Sequence, residues 1–490
     1  MKRPSNAMDA PLPDSWSVEP SPGVHRRGDL ILGGTPYRVV RLDAATALAV
    51  DELLDGATVA EATERSGVDA GRIARRLVVE GLSSARPDAA SKTVRAKDVT
   101  LVVPAYNAAD DLAALLTAPA ATSAAATVVV DDASTDSTAE AAGALGAQVI
   151  RQPDNRGPAA ARNAGWRNAA SPIVLFVDAD ATLPDELRFA LAHFADPAVA
   201  IVVPRVRVET GSRPTLAERY ESARSPYDLG ELAGDVGVGR RLDRAASVLL
   251  VVRVAALDEV DGFADHMRFG EDFDLLRRLA RAGWVVRYEP RCEGSHRART
   301  RFGALLRLHY RYGVPAAELD RRSGTSAGTG TTSVFAWLAA VLAVVGLPIE
   351  AAIAVVVGLT VTALGLTWRI PASVAVRVAA RLEVQSMRVT AAAVSSLWLL
   401  PSLTIVVVLR TWTGLAFVVA ATLLRHLAEW RRSRPAIDAA TWTGLRILDD
   451  QAFALGTWTG CVRAGRLSPL FPRFRSLLAR AEVFGTGFDG

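Results

Sequence analysis

Five apolar runs in the middle of the chain, "VTLVVP", "TVVVDD", "AQVI", "PIVLFVD" and "VAIVVP", constrain its fold more than any other feature. They are rich in β-branched residues and do not alternate with polar ones, so each predicts a strand buried on both faces. Polar turns and helix-compatible segments separate them. That alternation predicts an α/β domain over about residues 99–322, a parallel sheet covered by helices on both sides. In such sheets ligands bind beyond the carboxyl ends of the strands, so the residues just after each run are the ones to inspect.

The first run ends in Pro104-Ala105-Tyr106-Asn107 and lacks the G-x-G-x-x-G turn that brings a helix N-terminus close to a pyrophosphate, which argues against an NAD enzyme. The second, "TVVVDDASTDST", ends in Asp131-Asp132 with Ser134 and Asp136 behind them. One of the latter two is expected to cap the next helix. A carboxylate at the strand end itself can accept hydrogen bonds from a base imide or a ribose hydroxyl. In "VLFVDADATLPDEL", Asp178 and Asp180 share a small volume at the end of a buried strand, and their repulsion makes ionisation costly without a cation between them. Oxygen ligands of this kind suit Mg2+ or Mn2+, which also bind substrate phosphates. Pro184, Asp185 and Glu186 in the same stretch read as a helix start, with the acidic pair in its first turn.

A lone D-x-D is more often a solvated turn or a cap, so its meaning depends on its company. Downstream, "GFADHMRFGEDFDLLRRLARAGWVV" sets Glu271 and Asp272 behind Gly270 at the start of a helix whose buried side carries Leu275, Leu276 and Leu279. Both acids suit the helix dipole there, and Asp272 is also placed to serve as a general base toward an acceptor hydroxyl.

Residues 1–90 have a different layout. "GVHRRGDLILGGTPYRVVRL" alternates like strands around Gly33-Gly34; Asp43, Thr58 and Asp69 are candidate helix caps and Gly81 a helix stop. Strands followed by three helices is a winged-helix-type order. Arg72, Arg75 and Arg76 on the third helix come without aromatic or amide residues to read base edges, which argues against nucleic acid as a partner. An exposed strand edge in such a module can take an extended peptide as an added strand.

Half of the residues are apolar, and the excess concentrates beyond residue 330. Residues 331–349, 351–368, 389–409 and 411–424 carry no charge, while the segments 297–322, 369–388 and 425–434 are rich in arginine. Spans of about 17–25 apolar residues cross a bilayer, so these stretches predict two membrane hairpins with the basic segments and both soluble domains in the cytoplasm. The expected partition is therefore 1–90, 97–323, 331–430 and a cytoplasmic tail 431–490, in a multi-pass protein of the cell membrane in contact with lipid. Only three lysines contribute to a net charge of +4, and Cys292 and Cys461 fit reduced thiols better than a disulfide. "MKRPSNAMDAPLPDSW" has no hydrophobic signal-peptide core.

Taken in order, "VVPAYNAADDL", "VVVDDASTD", "DNRGPAAARNAG", "LFVDAD" and "GFADHMRFGEDFDLLRRL" resemble the family 2 glycosyltransferases of the GT-A fold over roughly residues 98–299. The N-terminal layout, with its "LLDGATVAEATERSGVD" pattern, resembles the PqqD-like modules that hold precursor peptides. The combination of both with a hydrophobic C-terminal region is similar to the glycosyltransferases of the mycofactocin system. The resemblance implies a UDP-sugar donor, with Pro104, Ala105, Tyr106, Asp132, Arg162 and Asp178 around the nucleotide sugar. It implies Asp178 and Asp180 as the sugar-nucleotide and metal pair, with His296 near a divalent cation, and Asp272 as the base of an inverting transfer with Glu271 beside it. The implied acceptor is a peptide-derived small molecule, and glucose the implied sugar. A polyprenyl phosphate or cell-wall glycan acceptor, and a non-enzymatic peptide-recruiting scaffold, are the competing readings. "QSMRV" at residues 385–389 falls short of the QxxRW motif of processive relatives.

Overall fold

The computed structural model describes residues 10–90, 94–237, 239–323, 330–368 and 370–475. They form two compact units, one made of the chain up to Glu209 with Arg224–Arg297, the other of Thr210–Ala223 and the chain from Ala298 on.

The first unit opens with four short strands, three helices (Ala44–Leu54, Val59–Ser66 and Ala70–Val79) and a closing strand, Ser83–Arg86, that pairs antiparallel with Ser17–Pro20. The expected caps start the helices. Asp43 accepts from the N–H groups of Ala45 and Thr46, Thr58 and Glu61 form a capping box, and Asp69 accepts from Arg72. Trp16, Ile31, Leu53, Leu77 and Leu82 close a separate core. Arg75 is buried and lies fork to fork on Asp196, at 2.7 and 2.9 Å, so it is not displayed for nucleic acid. Arg287 donates to the same carboxylate at 2.7 Å and stacks on the Trp16 ring, which fastens the module to the sheet domain behind it.

That domain is built on eight strands in the order Gly234–Asp235, Val285–Arg297, Val199–Glu209, Leu249–Arg253, Ile173–Val177, Val99–Ala105, Ala126–Asp131, Gln148–Arg151. The sheet is α/β as expected but mixed rather than parallel: Leu249–Arg253 runs antiparallel to both neighbours, and Gly234–Asp235 is antiparallel to Val285–Arg297. A strand enclosed on both faces reads as an apolar run whichever way it points, so direction is not visible in the pattern. Leu101, Val103, Leu175 and Val177 enter one apolar layer, and Val102, Val174 and Phe176 the other, as the two-residue strand period requires. The Pro158–Arg167 helix lies so close to the sheet that a Cβ on Gly165 would come within 2.2 Å of Val102. One helix start differs from expectation: the helix is Leu187–Ala192, so Pro184 and Asp185 precede it and Glu186 is its N-cap residue without a side-chain cap.

In the second unit the four uncharged stretches do not become four spans. Pro348–Leu366 is long and apolar enough to cross a membrane, and Ala372–Ser395 with Leu399–Leu409 qualifies only as one pair bent by 79°. The first stretch breaks at Gly346, in a left-handed turn, and Pro348, which leaves an 11-residue helix, Val334–Val344. Eleven residues reach about 16 Å, roughly half the hydrocarbon thickness of a bilayer. Within the expected tail, the 25-residue helix Ala439–Arg463 packs against Phe302–Gly313: a Cβ on Gly456 or Gly460 would come within 2.0 Å of the Tyr310 or Val314 carbonyl oxygen. Cys292 and Cys461 are both buried and unbridged.

Candidate active site

The Ile173–Val177 strand delivers Asp178 to the sheet edge, where its N–H donates to the Val248 carbonyl at 3.0 Å. The chain then turns and is stitched to the Val285–Arg297 strand. Thr182 N–H donates to Ser295 O at 2.8 Å, Ser295 N–H donates to Thr182 Oγ1 at 2.9 Å, and Ala181 forms a bridge with His296. Only a glycine allows this approach at position 294, because a Cβ there would lie 2.5 Å from the Thr182 oxygen. The stitch leaves His296 Nε2 3.1 Å from Asp180 Oδ2, with the imidazole against the Tyr227 ring.

Arg162, on the Pro158–Arg167 helix, is buried beneath the turn. Its Nη2 donates to Asp178 Oδ1 at 2.6 Å and its Nη1 to Glu271 Oε1 at 3.1 Å. Glu271 and Asp272 begin the Glu271–Arg281 helix behind Gly270, whose φ of 79° makes the sharp entry. The Ser247 hydroxyl lies 3.5 Å from the same Glu271 oxygen. Burial, reinforced by the Asp272 charge and opposed by Arg162, pushes the Glu271 carboxyl up to about 7. Burial also raises Asp272, against the Phe273 N–H and Arg162. Asp178 is raised by burial as well, with Arg162 pulling the other way and Asp180 adding to the rise. Four acidic groups thus share one guanidinium and one imidazole.

The strands ending at Asp178, at Ala105 and at Asp131 are neighbours and run parallel, so Pro104, Ala105, Tyr106 and Asp132 stand along the same edge. Tyr106 offers an exposed ring. Asp132 is buried, and its two oxygens accept from the N–H groups of Arg156 and Gly157, both at 2.8 Å. It therefore also holds the turn that leads into the helix of Arg162. Asn107 and Ala133 both sit at positive φ, 51° and 61°, a conformation costing on the order of 1–3 kcal/mol for a non-glycine residue. Cross-loop bonds hold them there: Ser134 Oγ accepts from Asn107 N–H at 2.9 Å, and Asn107 Oδ1 accepts from Thr135 N–H at 2.9 Å. Neither candidate cap is the N-cap residue of the next helix, Thr138–Ala144: that is Ser137, without a side-chain cap, while Asp136 just before it accepts from Thr138 N–H at 3.0 Å.

Several of these residues carried no sequence signal. Asn107, Ser134 and Ser247 act through partners remote in the chain. Asn163 is another, with Nδ2 donating to Phe263 O and Oδ1 accepting from Phe263 N–H and Trp166 Nε1–H. A polar residue beside Arg162 on an otherwise alanine-lined helix is the only hint of it in "AAARNAG".

Among the described residues, no group of three or more His, Cys, Asp or Glu side chains is set to hold a metal ion. Asp180 and His296 still fit one. Two ligands each about 2.1 Å from an octahedral cation, at a right angle, stand about 3.0 Å apart, close to the observed 3.1 Å between His296 Nε2 and Asp180 Oδ2. Such a pair leaves most positions to water and to substrate phosphates, the usual binding mode of Mg2+.

The chain is similar to several known proteins. The profile of the family described as "Glycosyl transferase family 2" matches residues 100–246. The chain is 31% identical to a protein of Mycobacterium tuberculosis (strain H37Rv) named "Pre-mycofactocin glycosyltransferase", over 95% of this chain and 99% of that protein. It is 27% identical to "Glycosyltransferase AglE" of Haloferax volcanii, over 46% of this chain and 76% of that one. Among solved structures, the mannosyltransferase PcManGT of Pyrobaculum calidifontis, in complex with GDP-Man and Mn2+, is similar at 21% identity with a TM-score of 0.37, covering 69% of this chain and 88% of that chain.

Proposed function

This chain belongs to the family 2 glycosyltransferases, sugar-transferring enzymes of GT-A-like α/β fold, and from that premise we propose that it moves a hexose, with glucose expected, from a UDP-sugar to mycofactocin or its precursor. The observation that carries the reading is the contiguous cluster Asp178, Asp180, His296, Arg162, Glu271 and Asp272 at the carboxyl edge of the sheet. Tyr106 and the Pro104-Ala105 strand end would hold the uridine, with Asp132 keeping the adjoining turn in place. Asp180 and His296, with Asp178 beside them, would hold a divalent cation, Mg2+ or Mn2+; when bound, it supplies positive charge to the departing diphosphate.

Asp272 takes the proton of the acceptor hydroxyl, and burial raises its affinity for that proton above that of an ordinary carboxylate. The oxygen freed of its proton then forms the new bond to the anomeric carbon on the face opposite UDP, as the bond to the diphosphate breaks. An α-linked donor so gives a β-linked product, and repeated transfer gives a β-linked oligosaccharide. The N-terminal module would present the peptide-derived acceptor at a strand edge. The apolar helices of the second unit would attach the enzyme to the cytoplasmic face of the membrane.

Asp272→Asn is expected to lower kcat by about 10²–10⁴-fold while UDP binding persists. A purified variant with full transferase activity would sink the mechanism. A polyprenyl phosphate or cell-wall glycan acceptor is the second reading, favoured by the Pro348–Leu366 helix. Assaying the purified enzyme against both acceptor classes separates the two.

A further inference from the structure

Resting on the glycosyl-transfer reading, we propose that Arg162 is a positioning residue that ties the donor half of the site to the acceptor half, rather than a residue of the nucleotide pocket. Its guanidinium is 2% exposed, and two of its nitrogens are committed to carboxylates from different elements: Asp178 at the end of the Ile173–Val177 strand and Glu271 at the head of the Glu271–Arg281 helix. The Phe263 ring, 5.6 Å from the guanidinium carbon, backs it, and Asn163 on the same helix pins the backbone of Phe263. Arg162 is therefore fixed from behind and can orient what lies in front of it.

The planar fork of an arginine suits this task, since its separate N–H edges can hold two carboxylates in fixed relation; a lysine offers only a point charge. Asp178 borders the Asp180–His296 pair where the donor diphosphate would bind. Glu271 precedes Asp272, so the angle at which it is held sets where the base stands. Without Arg162, the strand end and the helix start would each keep their backbone geometry but lose their common reference. The four acids would also lose their principal counter-charge.

Arg162→Lys is expected to lower kcat and raise the donor KM together, each on the order of tenfold to a hundredfold, as loss of a residue that orients site ligands does. Asp178→Asn should raise chiefly the donor KM, and Glu271→Gln, which keeps the side-chain shape, should lower chiefly kcat. In double-mutant cycles, Arg162→Lys should be non-additive with Asp178→Asn in donor KM and with Glu271→Gln in kcat. Far-UV circular dichroism and thermal melting show whether each variant is folded, and if Arg162→Lys is not, the cycle between Asp178→Asn and Glu271→Gln decides, since carboxylates tied through one guanidinium should be non-additive. Additive cycles, a rise in donor KM alone for Arg162→Lys, or a Glu271→Gln variant that changes donor KM and not kcat would each overturn the proposal. A wild-type enzyme that transfers from no UDP-sugar overturns the reading beneath it and the proposal with it, whereas an active wild type with additive cycles overturns the proposal alone.

Discussion

The first unit contains two arginine–carboxylate clusters, each built on a buried arginine, whose carboxylates behave in opposite ways. Behind the sheet, Asp196 receives both nitrogens of Arg75, one of Arg287 and the Ala198 N–H, so its carboxyl is held below the ordinary range even though burial pushes upward. At the sheet edge, Asp178, Asp180, Glu271 and Asp272 share Arg162 and His296, and burial raises Asp178, Glu271 and Asp272. The Asp196 carboxylate is saturated with donors and closed to solvent, and Asp235 adds a second carboxylate 3.6 Å from Arg287 Nε. The second cluster sets four carboxyl groups beside Arg162 and His296, and Asp180 remains half exposed. A cluster that fastens two parts of a fold ends with its central carboxylate satisfied, whereas clustered carboxyls with raised proton affinity are the pattern of a functional site.

The strongest way to break this contrast is to unbalance the closed cluster. Asp196→Ala leaves Arg75 buried without a carboxylate and Arg287 with only Asp235, 3.6 Å from its Nε, and removing one partner of a buried ion pair costs about 3–5 kcal/mol. Urea unfolding should show that loss in full, and loss of the module's attachment should accompany it. An Asp196→Ala protein of wild-type stability would show that the joint is not what fastens the module.

A second test uses pH, because the two regions should respond with opposite sign. His193 lies edge-on to Trp16 near the joint, with its Nε2 3.1 Å from Glu289, and burial lowers its pKa from 6.5 to about 4. A group depressed in the folded state contributes stability above its unfolded pKa of about 6.5, and that contribution is lost as pH falls toward 4. Glu271 is raised to about 7, so its contribution is present below about 4.5 and is lost as pH rises through 7. Melting temperatures from pH 4 to 8 should therefore lose their acid limb in His193→Gln and their neutral limb in Glu271→Gln. The effects should be on the order of 2–3 kcal/mol for His193 and no more than that for Glu271.

How much of this was legible in the sequence follows from how local each device is. Asp43, Thr58 and Asp69 cap helices within three residues of themselves, and all three were readable. The acidic pairs at 178/180 and 271/272 were readable because each sits at the end of a strongly patterned element. Arg75 and Arg287 were not, since an arginine next to another in "IARRL" and an arginine inside "VVRYEP" look like solvated side chains until Asp196 is found between them. Arg162 was readable from its motif as a site residue, but not that its nitrogens lie on Asp178 and Glu271. Leu249–Arg253 was not among the five runs singled out, and its two-sided burial hides strand direction in any case. The membrane stretches were legible as apolar but not as lengths, because Gly346 and Pro348 divide a run that composition treats as continuous.

The smallest expected effect sharpens the contrast most. Thr58 Oγ1 accepts from Glu61 N–H, and Glu61 Oε2 accepts from Thr58 N–H at 2.8 Å, so Thr58→Ala removes one half of a surface capping box and costs about 1 kcal/mol. The position lies in the N-terminal module and touches neither cluster. If the Asp196 joint makes the module and the sheet domain one cooperative body, that 1 kcal/mol must appear in the transition that also abolishes UDP binding, since the two cannot then unfold separately. If the module is a hinged accessory, an earlier transition moves alone and UDP binding keeps its wild-type midpoint. A conservative change at the surface of one element thus reports on the buried charges of another, because cooperativity transmits a local loss only across a joint that holds.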